Sequence, residues 1–496
     1  MSFDSYWVTS APGGDYPALA QDHECDVAVV GGGIVGVTAA LRLRRDGASV
    51  ALLEARRIGS GATGYTTAKL SSLHGTIYQQ LTSAHGDEVA RAYGEMNEAG
   101  LAAIAALVDE LGIDCDFRRK PNFTYSESDS ERSTLMKEAE VAKRLGLPAS
   151  FVGDAGDLPF AIAGAVRFDD QAEFHPLKYL HGLAAAAADA GCAVHERSRV
   201  VSVKGGDPCR LQLESGATVR AGHVVLATHM PINDLGFLST RNHPERSYAM
   251  LARLEGALPQ GMYLSSDSPT RTLRPVPTPD GELLLVGGLS HRTGQGSEVE
   301  RYEKVERWAR ERFDVVSIEH RWATQDHIPN DKLPFIGRVS PRTDRILGVT
   351  GLRKWGLAMG AAAADVVCDR TAGRENAWAE SFDPFRFHPR AETPALVKHG
   401  AATAIHLLGD RITKRGSADD LAPGQGGVVG DGLAQRAVYR DEAGKLHSLS
   451  ARCTHLGCIV HFNDAERTWD CPCHGSRFDV DGEVLEGPAT KPLSRG

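Results

Sequence analysis

The stretch DVAVVGGGIVGVTAALRLRRDGASVALLE, residues 26–54, decides the fold. Residues 26–30 are a short apolar run that reads as a buried strand, 37–45 read as a helix of Ala, Leu and Arg, and 49–53 read as a second strand. Strand, glycine turn, helix and strand make a βαβ unit of the parallel type. In the turn, Gly31 permits the tight bend, Gly33 lets a pyrophosphate approach the backbone, and Gly36 lets the helix pack on the strand. The helix N-terminus presents free N–H groups and the positive end of its dipole to phosphate. Glu54 closes the second strand, where a carboxylate accepts hydrogen bonds from a ribose hydroxyl and disfavours a 2′-phosphate. The unit reads as a dinucleotide site. A second fingerprint of this kind does not occur, which speaks against a separate nicotinamide site.

Around this unit the chain has 496 residues, enough for about three domains. With 42% hydrophobic and 24% charged residues it has an ordinary globular composition. The 55 basic residues against 64 acidic leave a net charge of −9, which speaks against a nucleic-acid binder. No apolar run approaches the ~18 residues of a membrane span. The first residues show neither a basic n-region nor an apolar h-region, so the expected compartment is the cytoplasm.

Residues 1–24 read as an irregular arm anchored by Tyr6, Trp7 and Tyr16. Helical patterns cover 78–112, 127–146, 175–190 and 297–313; strand-rich stretches cover 193–229 and 247–290. A strand at 346–350 enters a second glycine turn that opens into a small-residue helix. Residues 374–415, with an alanine-rich helix candidate at 395–408, read as a connector, and short strands with glycine-rich turns follow from 416.

Nine cysteines are too few for a disulfide scaffold at this length. Cys25, Cys115, Cys192, Cys209 and Cys368 are scattered singly, the pattern of small buried hydrophobes. The other four cluster with two histidines, as Cys453-Thr-His455-Leu-Gly-Cys458 and Cys471-Pro-Cys473-His474. Each loop offers one Cys and one His, in C-x-H and C-x-x-H spacing, and a zinc ribbon is the alternative for such mixed pairs.

Beyond the βαβ unit, GSGATGYTTAKLSS (59–72), HVVLATH (223–229), RPVPTPDGELLLVGG (274–288), DKLPFIG (331–337) and VTGLRKWGLAMG (349–360) follow in an order that resembles the FAD-dependent amine and amino-acid oxidoreductases, including glycine oxidase, sarcosine oxidase and D-amino-acid oxidase. The resemblance spans about residues 24–370 and implies FAD. It implies an α/β Rossmann-like FAD-binding domain (about 24–80, 165–235 and 325–372) interleaved with a mixed-sheet substrate domain (about 80–165 and 240–325), together filling 1–372. It places Gly351, Lys354, Trp355, Gly356 and Leu357 at the flavin ring, with the following helix stabilising the reduced anion, and Thr66, Thr67 and Lys69 on the other side. The family's carboxylate-binding Arg is absent: Thr278 stands at its position. Arg274 shares that face of the strand, and either it receives the carboxylate or the substrate lacks one. For Arg271 and Arg274 a structural role is the competing reading, and His74 reads as structural. Lys69, Arg274 and Lys354 are the candidate catalytic residues.

The cysteine–histidine boxes resemble an all-β Rieske [2Fe–2S] domain over 416–496, joined by the connector at 373–415. The resemblance makes Cys453 and Cys471 ligands of one iron and His455 and His474 ligands of the other, and implies a Cys458–Cys473 disulfide. It also implies tuning of the potential at Ser476, which keeps a hydroxyl donor, and at Phe478, which replaces a tyrosine and has none. The two halves imply an enzyme that oxidises a C–N bond of a small amine, N-methylamine or amino acid and passes electrons from FAD through the cluster to an external acceptor. Two alternatives stand beside it: a donor protein sends electrons in through the cluster, or the chain is a redox sensor or scaffold without turnover.

Overall fold

The βαβ unit forms as its sequence dictates. The strand His23–Val30 pairs in parallel with Val50–Leu53, and the helix Ile34–Arg45 between them buries its apolar face. The computed structural model describes residues 3–232, 236, 238–388, 392, 393, 416–430 and 435–495. Around the unit an eight-stranded sheet runs in the order Phe335–Arg338, Ile346–Thr350, Thr218–Leu226, His23–Val30, Val50–Leu53, Ala193–His195. All these pairs are parallel except the antiparallel first strand, and the hairpin Val200–Lys204/Cys209–Leu213 extends Thr218–Leu226. The helix Gly356–Thr371 packs against Ile34–Arg45, and its buried run Ala361–Ala364 keeps the two helices close.

A nine-stranded sheet carries the second layer, in the order Val315–Pro329, Asn242–Leu254, Leu283–Arg292, Arg271–Val276, Met262–Ser265, Arg118–Ser126, Gly164–Glu173, Lys69–Leu70, with Ala149–Val152 also pairing Gly164–Glu173 off this path. The strands Lys69–Leu70 and Gly164–Glu173 fall inside segments expected to bind FAD but belong to this sheet. Gly164–Glu173 is drawn there by antiparallel pairing with Arg118–Ser126. The sheet's edge strand, Val315–Pro329, likewise runs past the expected change of domain at 325.

The N-terminal arm contains a short helix, Tyr6–Ser10, capped by the Ser5 hydroxyl. Buried Trp7 donates its indole N–H to Thr66 O at 2.8 Å and fixes the start of the Thr66–Lys69 segment. The helical stretch expected over 78–112 breaks into Ile77–His85 and Asp87–Leu111 at Gly86. Part of the expected connector lies on the flavoprotein: Phe382 is buried and Arg386 pairs with Asp331 at 2.8 Å. The helix candidate at 395–408 lies outside the described residues.

The C-terminal part is all-β. A three-stranded sheet (Gly426–Val429, Arg436–Arg440, Leu446–Ser450) stands beside a four-stranded one (His461–Asn463, Thr468–Asp470, Arg477–Phe478, Val484–Glu486). Their core contains Trp469 and Phe478, both fully buried, together with the four clustered cysteines.

Candidate active site

The two layers enclose a cavity of about 580 Å³ that starts at the glycine turn. Gly33 is the N-cap of its helix and brings no side chain to occupy the N–H groups of the first turn. A Cβ on Gly36 would stand 1.9 Å from Gly31 O, so only glycine lets the helix begin this close to the strand. The Glu54 carboxylate accepts the backbone N–H of Gly32 (2.7 Å) and of Arg56 (2.8 Å), which holds it at the cavity wall with acceptor capacity to spare.

The opposite end is built by the second glycine turn. Arg353 and Lys354 both adopt left-handed backbone (φ 57° and 71°), a conformation that non-glycine residues hold only where their surroundings fix it. Lys354 is fixed by the Glu245 carboxylate at 2.8 Å and the Ser290 hydroxyl. Trp355 is the N-cap of Gly356–Thr371 without a side-chain cap, so the positive end of this helix faces the cavity uncovered. A helix N-terminus at each pole of one cavity, the first with only its Ile34 N–H taken among the described residues, by the Thr63 hydroxyl (3.1 Å), and with the Glu54 carboxylate nearby, fits a pyrophosphate at the first and an anionic isoalloxazine at the second.

Gly31, Gly33, Glu54, Thr66, Thr67, Lys69, Lys354, Trp355, Gly356 and Leu357 all line the cavity. Gly36 and Gly351 do not; they shape the two turns from behind. Arg274 is a correction. Its side chain is 1% exposed, pairs with buried Glu173 at 3.1 Å and donates Nε–H to Thr67 O at 2.7 Å, so its charge is already neutralised away from the cavity. Arg271 donates to the carbonyls of Pro269 and Thr270 and packs over Trp308.

Lys69 has no carboxylate partner among the described residues. Its Nζ donates to Tyr263 O (3.0 Å) and the Thr272 hydroxyl (2.5 Å), 5.4 Å from the Trp355 ring centroid. Burial, and then the charge of Arg274, pull it down to about 7. His74 is stacked on Trp355; its Nε2–H donates to Ser71 O and its Nδ1 accepts from the Tyr93 hydroxyl. Burial pushes it down to about 3, so it is a neutral structural imidazole.

In the C-terminal part, Cys458 and Cys473 form a disulfide with a Cα–Cα distance of 6.6 Å. That leaves Cys453 and Cys471 as the buried free thiols of the two loops. The His455 and His474 rings stand 5.0 Å apart at 90°. The neighbouring Cys471 sulfur, then the backbone N–H of His455 and the Ser476 hydroxyl, hold Cys453 below the ordinary thiol range despite burial. Two thiols and two imidazoles on paired loops supply the donor set of a cluster with one sulfur-bound and one nitrogen-bound iron.

Sequence reading did not reveal that this loop system closes the flavin cavity. Leu485, Glu486, Gly487, Ala489 and Thr490 line the same cavity as the glycine turn. Asp464 accepts the Ser297 hydroxyl (2.5 Å) and the N–H of Glu298 (2.8 Å) and Val299 (3.2 Å), capping the helix Glu298–Arg312 of the other part. Arg246, fully buried, joins Glu298 at 3.1 Å to Glu466, and Arg477 joins Glu466, Asp470 (3.1 Å) and Glu486 (2.9 Å). His229, His327 and Asp326 were also missed as cavity residues.

The fold and site define a flavoprotein oxidoreductase carrying its own iron–sulfur domain. The chain belongs to the FAD dependent oxidoreductase family, whose model matches residues 26–370, and a Rieske [2Fe-2S] domain matches 412–495. The first domain binds FAD and the second a [2Fe–2S] cluster. The chain is 36% identical to the Rieske 2Fe-2S iron-sulfur protein YhfW of Bacillus subtilis over 99% of this chain and 97% of that protein. It is 28% identical to the γ-glutamylputrescine oxidoreductase of Escherichia coli over 80% of this chain and 94% of that one. Glycine oxidase from Geobacillus kaustophilus shares the fold with a TM-score of 0.61 at 21% identity, covering 74% of this chain and 99% of its own. No helix among the described residues is long and apolar enough to cross a membrane.

Proposed function

We propose that the protein oxidises a C–N bond of a small amine, N-methylamine or amino acid by hydride transfer to FAD, and that the electrons leave through the Rieske cluster. The observation that carries this reading is the shared cavity: Leu485, Glu486, Gly487, Ala489 and Thr490 of the Rieske domain form part of its wall, which supports a short path between the two redox groups. Cys453 and Cys471 are proposed as the ligands of one iron, and His455 and His474 as those of the other. FAD, when bound, supplies the hydride acceptor.

The chain's own residues do the rest. Gly31, Gly33 and Glu54 hold the dinucleotide, and the helix beginning at Gly356 offsets negative charge at the ring. Lys69, with Nζ near neutrality on its hydroxyl and carbonyl supports, is placed to take the ammonium proton that an amine must lose before a hydride can depart. With Arg274 tied to Glu173, the reading favours an amine over a substrate gripped by an arginine–carboxylate pair. Likeness to the γ-glutamylputrescine oxidoreductase supports the same choice. The test is an anaerobic screen for flavin bleaching with γ-glutamylputrescine, N-methylamines and amino acids. Bleaching by an amine supports the reading; a flavin that bleaches with none of the three classes contradicts it.

A further inference from the structure

A single strand stands between the flavin cavity and the loop that carries Gly475. It is the edge strand Val315–Pro329, and successive side chains of a strand point to opposite faces. Thr324, Asp326 and Ile328 line the cavity. Gln325, on the other face, donates Nε2–H to Gly475 O at 2.7 Å. His327 shares the face of Gln325, and its cross-strand partner is Pro244. Gly475 rests on this surface so tightly that a Cβ there would meet Gln325 Nε2 at 2.7 Å and Pro244 Cβ at 2.8 Å. The residue before Gly475 is His474, and its imidazole is among the groups whose charge bears on His327.

His327 is itself 1% exposed, yet it borders the cavity, and its Nδ1 has no hydrogen-bond partner among the described residues. Its ring packs on that of His229 at 4.7 Å and 70°. His229, also a cavity residue, lies 3.6 Å from Asp326. His243 and Glu486 are the other titratable groups facing this pair of imidazoles.

We propose that His327 is the positioning residue that couples the flavin cavity to the cluster, by filling the space between the cavity and the strand surface on which the His474–Gly475 loop rests. The inference rests on the proposed exit of electrons through the cluster. A hydride brings two electrons and one proton into the cavity. The electrons cross singly, each reducing the oxidised cluster once; a one-electron carrier takes each from the cluster in turn, and the proton passes to water. Without the His327 ring the strand loses packed atoms between the cavity and the surface on which Gly475 rests.

Flash photoreduction of the flavin in the full chain, loaded with FAD and cluster, measures the crossing without any substrate. Parent protein, His327→Ala and His327→Phe are compared by flavin absorbance and by the paramagnetic signal of the reduced cluster. The expected result is a crossing slowed on the order of tenfold in His327→Ala, the lower end of what loss of a residue supporting a metal site costs. His327→Phe, which keeps a flat ring, is slowed less, and both variants shift the cluster's g values. Equal crossing rates and superimposable signals in parent and His327→Ala would overturn the assignment alone. A parent protein whose cluster never takes an electron from the flavin would overturn the reading beneath it.

Discussion

Lys69 is the residue on which the proposed chemistry turns. Its depressed value near 7 means that Nζ is charged below that pH and neutral above it. If it receives the substrate's proton, flavin reduction rises with pH through about 7. Lys69→Met should remove that limb, leaving only ionisations of the amine itself, which stopped-flow reduction across pH 5–10 would show; a limb retained in the variant would rule Lys69 out. A second residue-scale outcome concerns the cluster potential. The Ser476 hydroxyl accepts the Ala489 N–H at 3.0 Å and bonds the Cys453 sulfur, whereas Phe478 is fully buried and offers no hydrogen bond. Hydrogen bonds to the sulfurs favour the more negative reduced state. Ser476→Ala should therefore lower the potential and Phe478→Tyr raise it, within the Rieske range of about −150 to +300 mV. Protein-film voltammetry checks both signs.

Among the elements, the helix Glu298–Arg312 shows how the two domains are held. Its first N–H groups are capped partly by its own Ser297 and partly by Asp464 from the Rieske domain. Asp464→Ala removes the borrowed part and should cost about 1 kcal/mol, the usual value of an N-cap acceptor. The loss should appear as a lower melting temperature of the full chain with cluster content intact; an unchanged melting curve would mean the cap contributes nothing to docking. Elements whose signal is local were legible in sequence. The βαβ unit, the strand at 346–350 and the helix after it stand within a few residues of expectation, because glycine turns and apolar runs act over short range. The Gly164–Glu173 strand was assigned to the wrong layer because its place is set by pairing with Arg118–Ser126, which no local pattern encodes.

For the whole molecule, the dinucleotide turn could be read from spacing and the cluster loops from their resemblance to Rieske domains, but their meeting could not. Gln325 and Gly475 are 150 residues apart in sequence, and Arg246, Glu298, Glu466 and Arg477 share no motif. Arg274 misled for the same reason: strand alternation gave its face, while the Glu173 that neutralises it comes from a distant strand. What the assembled structure adds is a Rieske domain seated on the cavity and joined to the flavoprotein by buried charges, the arrangement on which the proposed circuit rests. The most direct test is anaerobic addition of a flavin-reducing amine to the protein loaded with FAD and cluster, without any outside carrier, followed by the paramagnetic signal of the reduced cluster. The account predicts that flavin bleaching is accompanied by that signal, up to one electron per cluster. A fully bleached flavin beside a cluster that stays oxidised would contradict it.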